Sequence, residues 1–234
     1  MTDVVDIVWG GAVEVRVTAG SGLSIPPEID AQIETIWREE LLRRPNVTNG
    51  QILCASHVDR GVVTGRFVEY RVFVARERDS KLERFVPIEP VGVSGVVVLA
   101  GGRVVVGKRA MHMTQHPGAW ELVPSGGIDG PLAPHGRIDP LAALLRELDE
   151  ELGVSTDRVK EARPLGLLRD RRDRGYDICF ELLIDADADD LEFALGEYAE
   201  FRVVEVAEAA ALLTAEESSV PVSRVLIELL RFRP

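Results

Sequence analysis

The sequence predicts an α/β fold, and three segments of its second half support that prediction. Residues 93–100 are a nearly continuous apolar run, which is typical of a strand buried on both faces of a sheet. Residues 141–152 carry leucines at helical spacing with acidic residues on another side, and residues 222–230 have a similar amphipathic pattern. Strands that alternate with amphipathic helices indicate a sheet covered by helices.

Residues 1–90 are predicted to form an N-terminal strand-rich α+β subdomain. Pro26-Pro27 opens a predicted helix that ends by Pro45, because the isoleucines between them recur at helical spacing. The other predicted elements are a hairpin over residues 4–17, strands over residues 51–56 and 62–76, and a linker over residues 85–90.

Residues 91–234 are predicted to form the second domain. Its central helix begins at Asp139-Pro140, because Asp accepts hydrogen bonds from free backbone N–H groups and Pro is tolerated at the first helical position. Gly153 suits the end of that helix. The remaining predicted elements are strands over residues 93–100, 103–109, 165–168, 176–184 and 197–204, and helices over residues 207–213 and 222–230.

The composition is typical of a soluble globular protein, with 46% hydrophobic and 28% charged residues in a chain of 234. No apolar run approaches the roughly 18 residues that a membrane helix needs, and the first residues lack the pattern of a signal peptide. Cys54 and Cys179 lie in apolar segments and are predicted to be buried thiols rather than a disulfide or a metal pair. These features predict a cytoplasmic protein with no membrane partner.

The formal net charge of −12 argues against nucleic acid as a partner, because nucleic-acid-binding surfaces carry a basic excess. Small phosphorylated ligands are compatible with this charge where a metal ion cancels it locally. We therefore expect a small-molecule partner.

Three carboxylates within residues 146–154 form the most informative pattern of the chain. Glu147, Glu150 and Glu151 lie at positions i, i+3 and i+4, and this spacing places all three on one side of a helix. Like charges at this spacing repel each other by roughly 0.2–0.5 kcal/mol. A divalent cation would turn that repulsion into binding, and hard cations such as Mg²⁺ or Mn²⁺ prefer oxygen ligands.

The same string resembles the second half of the Nudix hydrolase motif, G-x5-E-x7-R-E-U-x-E-E-x-G-U, in which U is aliphatic. The matching positions are Arg146, Glu147, Leu148, Glu150, Glu151, Gly153 and Val154. Residues 120–127, which read Trp-Glu-Leu-Val-Pro-Ser-Gly-Gly, resemble the segment that leads into the catalytic helix of that family. The resemblance covers residues 91–234 and implies a Nudix-type α/β/α sandwich.

The first half of the motif is not matched. Its Gly would fall at Leu132 and its Glu at Ile138. Gly127 is therefore aligned with the motif Gly, and a five-residue insertion is placed within residues 128–137, where prolines and a glycine indicate a loop. No insertion brings a Glu to the second position, because Asp139-Pro140 sets the start of the helix.

In the family, the missing Glu mainly holds the motif Arg, so its loss is expected to be more structural than chemical. Arg146 then needs another partner, and Asp129 is the nearest acidic candidate in the loop. We predict an ion pair between Arg146 and Asp129.

The resemblance also implies a metal site. Glu150 and Glu151 are the main expected ligands of Mg²⁺, with Mn²⁺ as the alternative ion. Glu147 is the third expected ligand, and the backbone carbonyl of Gly126 is a further one.

Catalytic roles are expected for Glu150, Glu151 and Arg146, and Lys108 and Arg109 at the end of a strand are candidates for contact with the diphosphate. Other positions are open between a functional and a structural role. They are Glu197 and Glu200 (general base or exposed strand residues), Arg171, Arg172 and Arg174 (phosphate contact or solvated turn), and His112 and His116 (substrate contact or polar loop).

The resemblance implies a metal-dependent hydrolase that cleaves the diphosphate of a nucleoside diphosphate linked to another group, with a nucleotide-sugar as the favoured substrate. One alternative is a Nudix-fold module or sensor that binds a nucleotide without hydrolysis; the missing Glu favours it and the retained carboxylates oppose it. Another alternative is a Nudix-fold enzyme of other chemistry, such as an isomerase. The family resemblance also makes a homodimer one of the expected assemblies.

Overall fold

The structure is a computed structural model that describes residues 4–18, 23–129, 136–214 and 218–231. The described residues form two β-sheets joined through one strand, with α-helices packed on them. The strands are β1 (Val5–Gly10), β2 (Glu14–Val17), β3 (Gln51–Asp59), β4 (Val62–Glu69), β5 (Glu89–Val98), β6 (Val104–Arg109), β7 (Trp120–Leu122), β8 (Ser125–Gly127), β9 (Arg137–Ile138), β10 (Val159–Asp170), β11 (Gly175–Ile184) and β12 (Tyr198–Val204). The α-helices are α1 (Pro27–Arg43), α2 (Tyr70–Arg78), α3 (Pro140–Leu152), α4 (Val206–Thr214) and α5 (Pro221–Arg231).

β5 connects the two sheets. Its first residues pair antiparallel with β3, at the edge of an N-terminal sheet whose order is β3-β4-β2-β9. The rest of β5 pairs in parallel with β11, and the second sheet continues from there to β10 and β1. On its other side β5 pairs with β6 and β8, and β6 pairs with β7 and β12. The long apolar run is therefore the central strand of the fold.

The two faces of the second sheet bury separate cores, because successive side chains of a strand point to opposite faces. Val93 and Val97 of β5 belong to the same cluster as Leu144 and Leu148 of α3. Val96 of β5 belongs to the cluster that contains α4 and α5. Helices thus cover both faces, and the predicted α/β/α sandwich is confirmed.

The ends of α3 lie where the sequence predicts them. Asp139 precedes the helix, and its side chain accepts hydrogen bonds from the backbone N–H groups of Leu141 at 3.0 Å and Ala142 at 3.3 Å. Gly153 ends the helix in the left-handed region with φ of 64°, a conformation that glycine adopts without steric cost. Both ends are therefore fixed by local backbone contacts as well as by packing.

The N-terminal helix is confirmed by α1, but the hairpin predicted over residues 4–17 is wrong. β1 pairs with β10 of the second sheet, whereas β2 pairs with β4 and β9 of the first. The glycines between the two strands carry the chain from one sheet to the other. Two strand-like segments that are adjacent in the sequence suggest a hairpin, but β1 and β2 each pair with strands that are distant in the sequence.

The strand predicted over residues 62–76 is wrong in its second half, because β4 ends at residue 69 and α2 follows at once. Residues 72–76 are all buried, and their apolar members pack in one cluster with α1. The side-chain oxygen of Asn49 accepts a hydrogen bond from the backbone N–H of Arg71 at 2.9 Å, which satisfies a free donor of the first turn. Alternating valines are typical of a strand, but packing against α1 stabilises a helix in this segment.

The linker predicted over residues 85–90 is also wrong, since Val86 and Ile88 are buried and β5 starts within that segment. Each part of the chain also contributes a strand to the other sheet. β1 precedes residue 90 and belongs to the second sheet, whereas β9 follows residue 90 and belongs to the first. The division of the chain into domains of residues 1–90 and 91–234 remains a prediction.

Both cysteines, Cys54 and Cys179, are buried free thiols, as predicted. Burial raises the pKa of the Cys54 thiol to about 12, so this group stays protonated and unreactive at neutral pH. Within the described ranges, no helix has both the length and the apolar character needed to cross a lipid bilayer.

We predict that Leu144→Ala will lower the free energy of unfolding by about 2–5 kcal/mol, because Leu144 is fully buried between α3 and β5. Leu42→Ala is the control, because Leu42 lies on α1 and is 84% exposed. It should change the free energy of unfolding by less than about 0.5 kcal/mol. Urea unfolding followed by circular dichroism measures both values. Equal effects of the two substitutions would contradict the packing of α3.

Candidate active site

A cavity of about 950 Å³ lies where the N-terminal residues meet the second sheet. Its wall combines residues from the end of α1, from β3 and from α2 with residues of β5, β8, α3 and the turn between β10 and β11. Carboxylates outnumber guanidinium groups in this wall. The charge of the cavity therefore favours cations over anions unless a cation is bound first.

α3 brings two of the predicted metal ligands to this cavity and buries the third. Glu147 and Glu150 lie in the wall, and the side chain of Glu150 is 60% exposed. Glu151 is only 6% exposed and lies behind the wall. Its carboxylate accepts hydrogen bonds from the backbone N–H of Ser125 at 3.3 Å and from the hydroxyl of Tyr198 at 3.2 Å. The three glutamates thus lie on one side of α3 at different depths.

Gly126 lines the cavity beside Glu147. A Cβ at this position would meet the carboxylate oxygens of Glu147 at 2.7 Å, so a larger residue would push that carboxylate away. The backbone of Gly126 is fixed by pairing with Val93 of β5. The structure therefore places Gly126 and Glu147, two of the predicted metal ligands, next to each other.

Arg146 is paired with Asp129, as the sequence predicts. Its Nη1 donates a hydrogen bond to Asp129 at 2.6 Å. Its Nη2 also donates to Glu147 at 2.7 Å, and its Nε lies 3.5 Å from a carboxylate oxygen of Glu150. Burial alone would lower the pKa of Arg146, but the hydrogen bonds to Glu147 and Asp129 raise it above its ordinary value. Arg146 therefore joins the loop to the carboxylates of α3.

Ile138, which stands at the position of the motif Glu, belongs to the core. It lies in β9, pairs with Val15 of β2 and is buried among apolar side chains. The predicted insertion that separates it from Gly127 includes residues 130–135, which lie outside the described residues. At residue 138 the fold requires an apolar side chain, and a carboxylate there would be buried.

We predict that Ile138→Glu destabilises the protein instead of completing the motif. A buried, unpaired carboxylate should lower the free energy of unfolding by about 3–5 kcal/mol at neutral pH. Ile138→Val keeps the site apolar and should cost only about 0.5–1.5 kcal/mol. Chemical denaturation measures both variants. If Ile138→Glu were as stable as the wild type, residue 138 would be open to a motif-like carboxylate after all.

A further carboxylate, Glu121, is buried beside the glutamates of α3. It accepts hydrogen bonds from Nη1 of Arg109 at 2.5 Å and from the hydroxyl of Ser125 at 3.2 Å. Burial alone would lower the pKa of Arg109, but the charge of Glu121 raises it above its ordinary value. The sequence predicts a diphosphate contact for Arg109, and the structure places Arg109 in the cavity wall as the partner of Glu121.

The buried glutamates repel one another. Burial, followed by the charges of Glu121 and Glu147, raises the pKa of Glu151 well above its ordinary value. Burial also raises the pKa of Glu147, although Arg146 acts in the opposite direction. Because these carboxylates are costly to ionise together, this part of the wall favours a bound cation.

The available donors fit a hard divalent cation. Glu147, Glu150, Glu151 and the carbonyl of Gly126 offer oxygen atoms, which Mg²⁺ and Mn²⁺ prefer. Burial is the main cause of the raised pKa of Glu151, and a cation held by these groups would offset both that cost and the repulsion from Glu121 and Glu147. The residues present are therefore suited to the metal that the sequence predicts.

Lys108, the other predicted diphosphate contact, points elsewhere. Its Nζ lies 5.9 Å from the ring centre of Trp120, and Lys108 is absent from the described wall of the cavity. Other charged candidates are engaged in ion pairs, namely Arg171 with Asp6, Arg174 with Glu83, and Glu200 with Arg202.

Three of the open candidates do line the cavity: Glu197, His112 and His116. Glu197 is exposed, and its charge adds to burial in raising the pKa of Glu147 and Glu151. His116 is paired with an aspartate of the β10–β11 turn. These positions remain candidates for contact with a ligand.

The structure adds wall residues that the sequence did not single out. Glu121 has apolar neighbours in its strand, and that pattern was an available sign of a buried carboxylate. Asp170 ends β10 and Asp173 lies in the turn that follows, and the many charges of this segment suggest solvent exposure. Arg44 reaches the wall from the N-terminal region, where its guanidinium donates to the hydroxyl of Thr114 at 2.8 Å. No local pattern predicts that contact, because it spans 70 residues.

We predict that the metal-free protein becomes less stable as pH rises. The pKa of Glu151 is higher in the folded than in the unfolded chain, so between these two values the folded state binds more protons. The stabilising contribution is complete below the unfolded pKa and is lost as pH rises through the folded pKa. Burial raises the pKa of Asp177 to about 6, which acts in the same direction.

The Tm in EDTA should therefore fall as the pH rises from 4.5, the ordinary pKa of a Glu side chain, through about 6, the pKa of Asp177, and differential scanning calorimetry measures it. Glu151→Gln should reduce this fall, and so should saturating Mg²⁺ added to the wild type. A metal-free Tm that rises over this pH interval would contradict the electrostatics of the site.

Comparison with known proteins gives a family and a set of similar folds. A family model described as NUDIX domain matches residues 89–226. Similar solved structures include DR0079 from Deinococcus radiodurans (18% identity, TM-score 0.48, covering 61% of this chain and 83% of that one). Another is the NUDIX domain of Shewanella oneidensis NrtR complexed with ADP ribose (20% identity, TM-score 0.46, 60% and 85%). A third is a C. elegans Ap4A hydrolase (14% identity, TM-score 0.42, 60% and 94%). No curated protein matches the chain significantly.

Proposed function

The chain belongs to the NUDIX domain family, and from this premise we propose that it is a metal-dependent hydrolase of nucleoside diphosphates linked to another group. Nucleotide-sugars are the substrate class that we favour. One observation supports this proposal above the others: mutually repelling carboxylates lie in the wall of a large cavity (Glu121 and Glu147) and buried directly behind it (Glu151). The cavity volume of about 950 Å³ lies in the range of about 300–1,000 Å³ that is usual for small-molecule sites.

The metal would be held by Glu147, Glu150 and Glu151, with the carbonyl of Gly126. Bound there, a divalent cation supplies positive charge to the diphosphate and lowers the pKa of a coordinated water. This chemistry is needed because a diphosphate repels hydroxide and its leaving group must take up negative charge.

The neighbours of the glutamates hold the ligand atoms in place. Arg146 fixes Glu147 through a hydrogen bond of 2.7 Å, and it is fixed in turn by Asp129. The hydroxyl of Tyr198 and the backbone of Ser125 orient the carboxylate of Glu151. Ligands that are oriented before a substrate arrives lose less entropy on binding, which favours catalysis.

For the diphosphate contact we retain Arg109 and set Lys108 aside, because only Arg109 lines the cavity. For the general base we favour Glu197 over Glu200. Glu197 is an exposed carboxylate in the cavity wall, whereas Glu200 is paired with Arg202.

Nucleotide binding without hydrolysis is the second candidate, and the ion pairs of Arg146 favour it. Arg146 lies 2.7 Å from Glu147 and 3.5 Å from Glu150, so it competes with a metal for both carboxylates. Ile138 offers Arg146 no charged alternative. In this account the cavity recognises a nucleotide and the carboxylates are neutralised by the protein itself.

We predict that Glu151→Gln will lower kcat by at least about 100-fold, because it removes a negative charge that the metal requires. The substitution keeps the size of the side chain, and its amide oxygen replaces one of the two carboxylate oxygens that accept from Ser125 and Tyr198. The assay offers nucleotide-sugars, ADP-ribose, dinucleotides and nucleoside triphosphates with Mg²⁺ or Mn²⁺ and follows the products by chromatography.

Asp149→Asn is the matched control, since Asp149 is an exposed carboxylate on the same helix. It should keep the wild-type kcat. Wild-type turnover by Glu151→Gln would refute the site. Substrates left intact by the wild-type protein, with tight nucleotide binding, would favour the second candidate.

A further inference from the structure

A second group of metal-ligand side chains lies in the same cavity wall. A nitrogen of His116 and one carboxylate oxygen each of Asp170 and Asp173 all lie within 4.8 Å of one another. His116 comes from the segment between β6 and β7, and the two aspartates come from the end of β10 and the turn that follows it. Two segments that are distant in the sequence therefore bring three ligand atoms to one place.

Asp170 carries the observation that points to a ligand. It is 3% exposed, and its Oδ1 accepts hydrogen bonds from the backbone N–H groups of Arg172 at 2.8 Å and Asp173 at 3.2 Å. Its Oδ2 is buried and has no hydrogen-bond partner. A buried carboxylate oxygen without a partner is costly, and a cation bound to it would remove that cost.

His116 and Asp173 supply the other two ligand atoms of the group, and a bound cation would replace the direct contact between them. Nε2 of His116 lies 2.5 Å from Oδ2 of Asp173. The backbone of Asp173 is held from the other side, where Arg76 donates a hydrogen bond of 3.2 Å to its carbonyl oxygen. Together with Asp170, these side chains offer one imidazole nitrogen and two carboxylates.

We infer that His116, Asp170 and Asp173 form a second metal site, for a divalent transition-metal ion such as Zn²⁺. A mixed set of nitrogen and oxygen ligands suits Zn²⁺ better than Mg²⁺. Three protein ligands leave one position of a tetrahedral ion open. Because all three residues line the cavity, a bound ion would be accessible from the space in which the substrate is proposed to bind, and a water or a phosphate oxygen would complete its coordination.

This site differs from the glutamates of α3 in its ligand atoms and in the elements that supply them. The two groups are connected through Arg109. The Nε of Arg109 donates to the carbonyl oxygen of Gln115 at 3.1 Å, directly before His116, and its Nη1 donates to Glu121. The same arginine therefore supports the wall beside both groups of ligands.

The competing account is a metal-free ion pair between a protonated His116 and Asp173 alone. That account explains the short contact between His116 and Asp173. It leaves Oδ2 of Asp170 without a donor. A metal ion accounts for all three side chains at once.

Calorimetric titration of Zn²⁺ into the whole chain tests the site, with excess Mg²⁺ present to occupy the glutamates of α3. The wild type should bind one Zn²⁺ ion. Asp170→Asn and His116→Asn should each weaken that binding by at least about 100-fold, the upper end of the effect of losing an outer-shell partner. At residue 170, Asn keeps a side-chain oxygen that can accept from the backbone N–H groups of Arg172 and Asp173. At residue 116, Asn tolerates the backbone φ of 45°.

The matched controls are His112→Asn, which changes the other histidine of the cavity wall, and Asp177→Asn, which changes another wall carboxylate. Both should bind Zn²⁺ as the wild type does. The double variant Glu147→Gln/Glu151→Gln should also bind Zn²⁺ as the wild type does. Because the titration measures Zn²⁺ binding and not turnover, its result tests the second site independently of the proposed hydrolase activity.

Circular dichroism checks the fold of each variant, and if Asp170→Asn fails to fold, His116→Asn decides the question. The inference is overturned if the wild type binds no Zn²⁺. It is also overturned if the binding survives His116→Asn and disappears with the glutamates of α3.

Discussion

The buried carboxylates behind the cavity are the constraint on which the rest of the site depends. Glu121 and Glu151 are both buried, and Arg109 forms an ion pair with Glu121. A folded protein cannot keep an isolated buried charge without compensation, because the loss of hydration is too costly. Glu151 must therefore either take up a proton, in keeping with its raised pKa, or face a cation. The second state would give the cavity the positive charge that the proposed diphosphate substrate requires.

The same constraint explains why Arg146 is surrounded by carboxylates. It contacts Asp129, Glu147 and Glu150, so its single charge is shared among three acids. The charges around Arg146 remain negative in sum, which leaves room for a divalent cation without removing the arginine. Because Asp129 alone of the three lies outside α3, it can hold Arg146 in place while the glutamates of α3 turn to a metal.

Local patterns predicted α3 almost completely, because its cap, its apolar stripe and its terminal glycine act within a few residues. The pairing of Arg146 with Asp129 was also predictable, since the loop offered a single near acid. The helical conformation of residues 70–78 was not predictable, because it depends on the burial of these residues against α1. The apolar neighbours of Glu121 indicated its burial, but its pairing with Arg109 and the approach of Asp170 to His116 depend on contacts between separate segments of the chain.

The N-terminal sheet takes part in positioning α3. Ile138 of β9 pairs with β2 directly before the helix cap at Asp139. At the other end of the predicted insertion, Asp129 forms a bridge with Ile52 of β3. The start of α3 and the partner of Arg146 are therefore both attached to that sheet. At residue 138, where the motif has a carboxylate, this chain has a buried isoleucine, and Arg146 is held by Asp129, which the N-terminal sheet fixes.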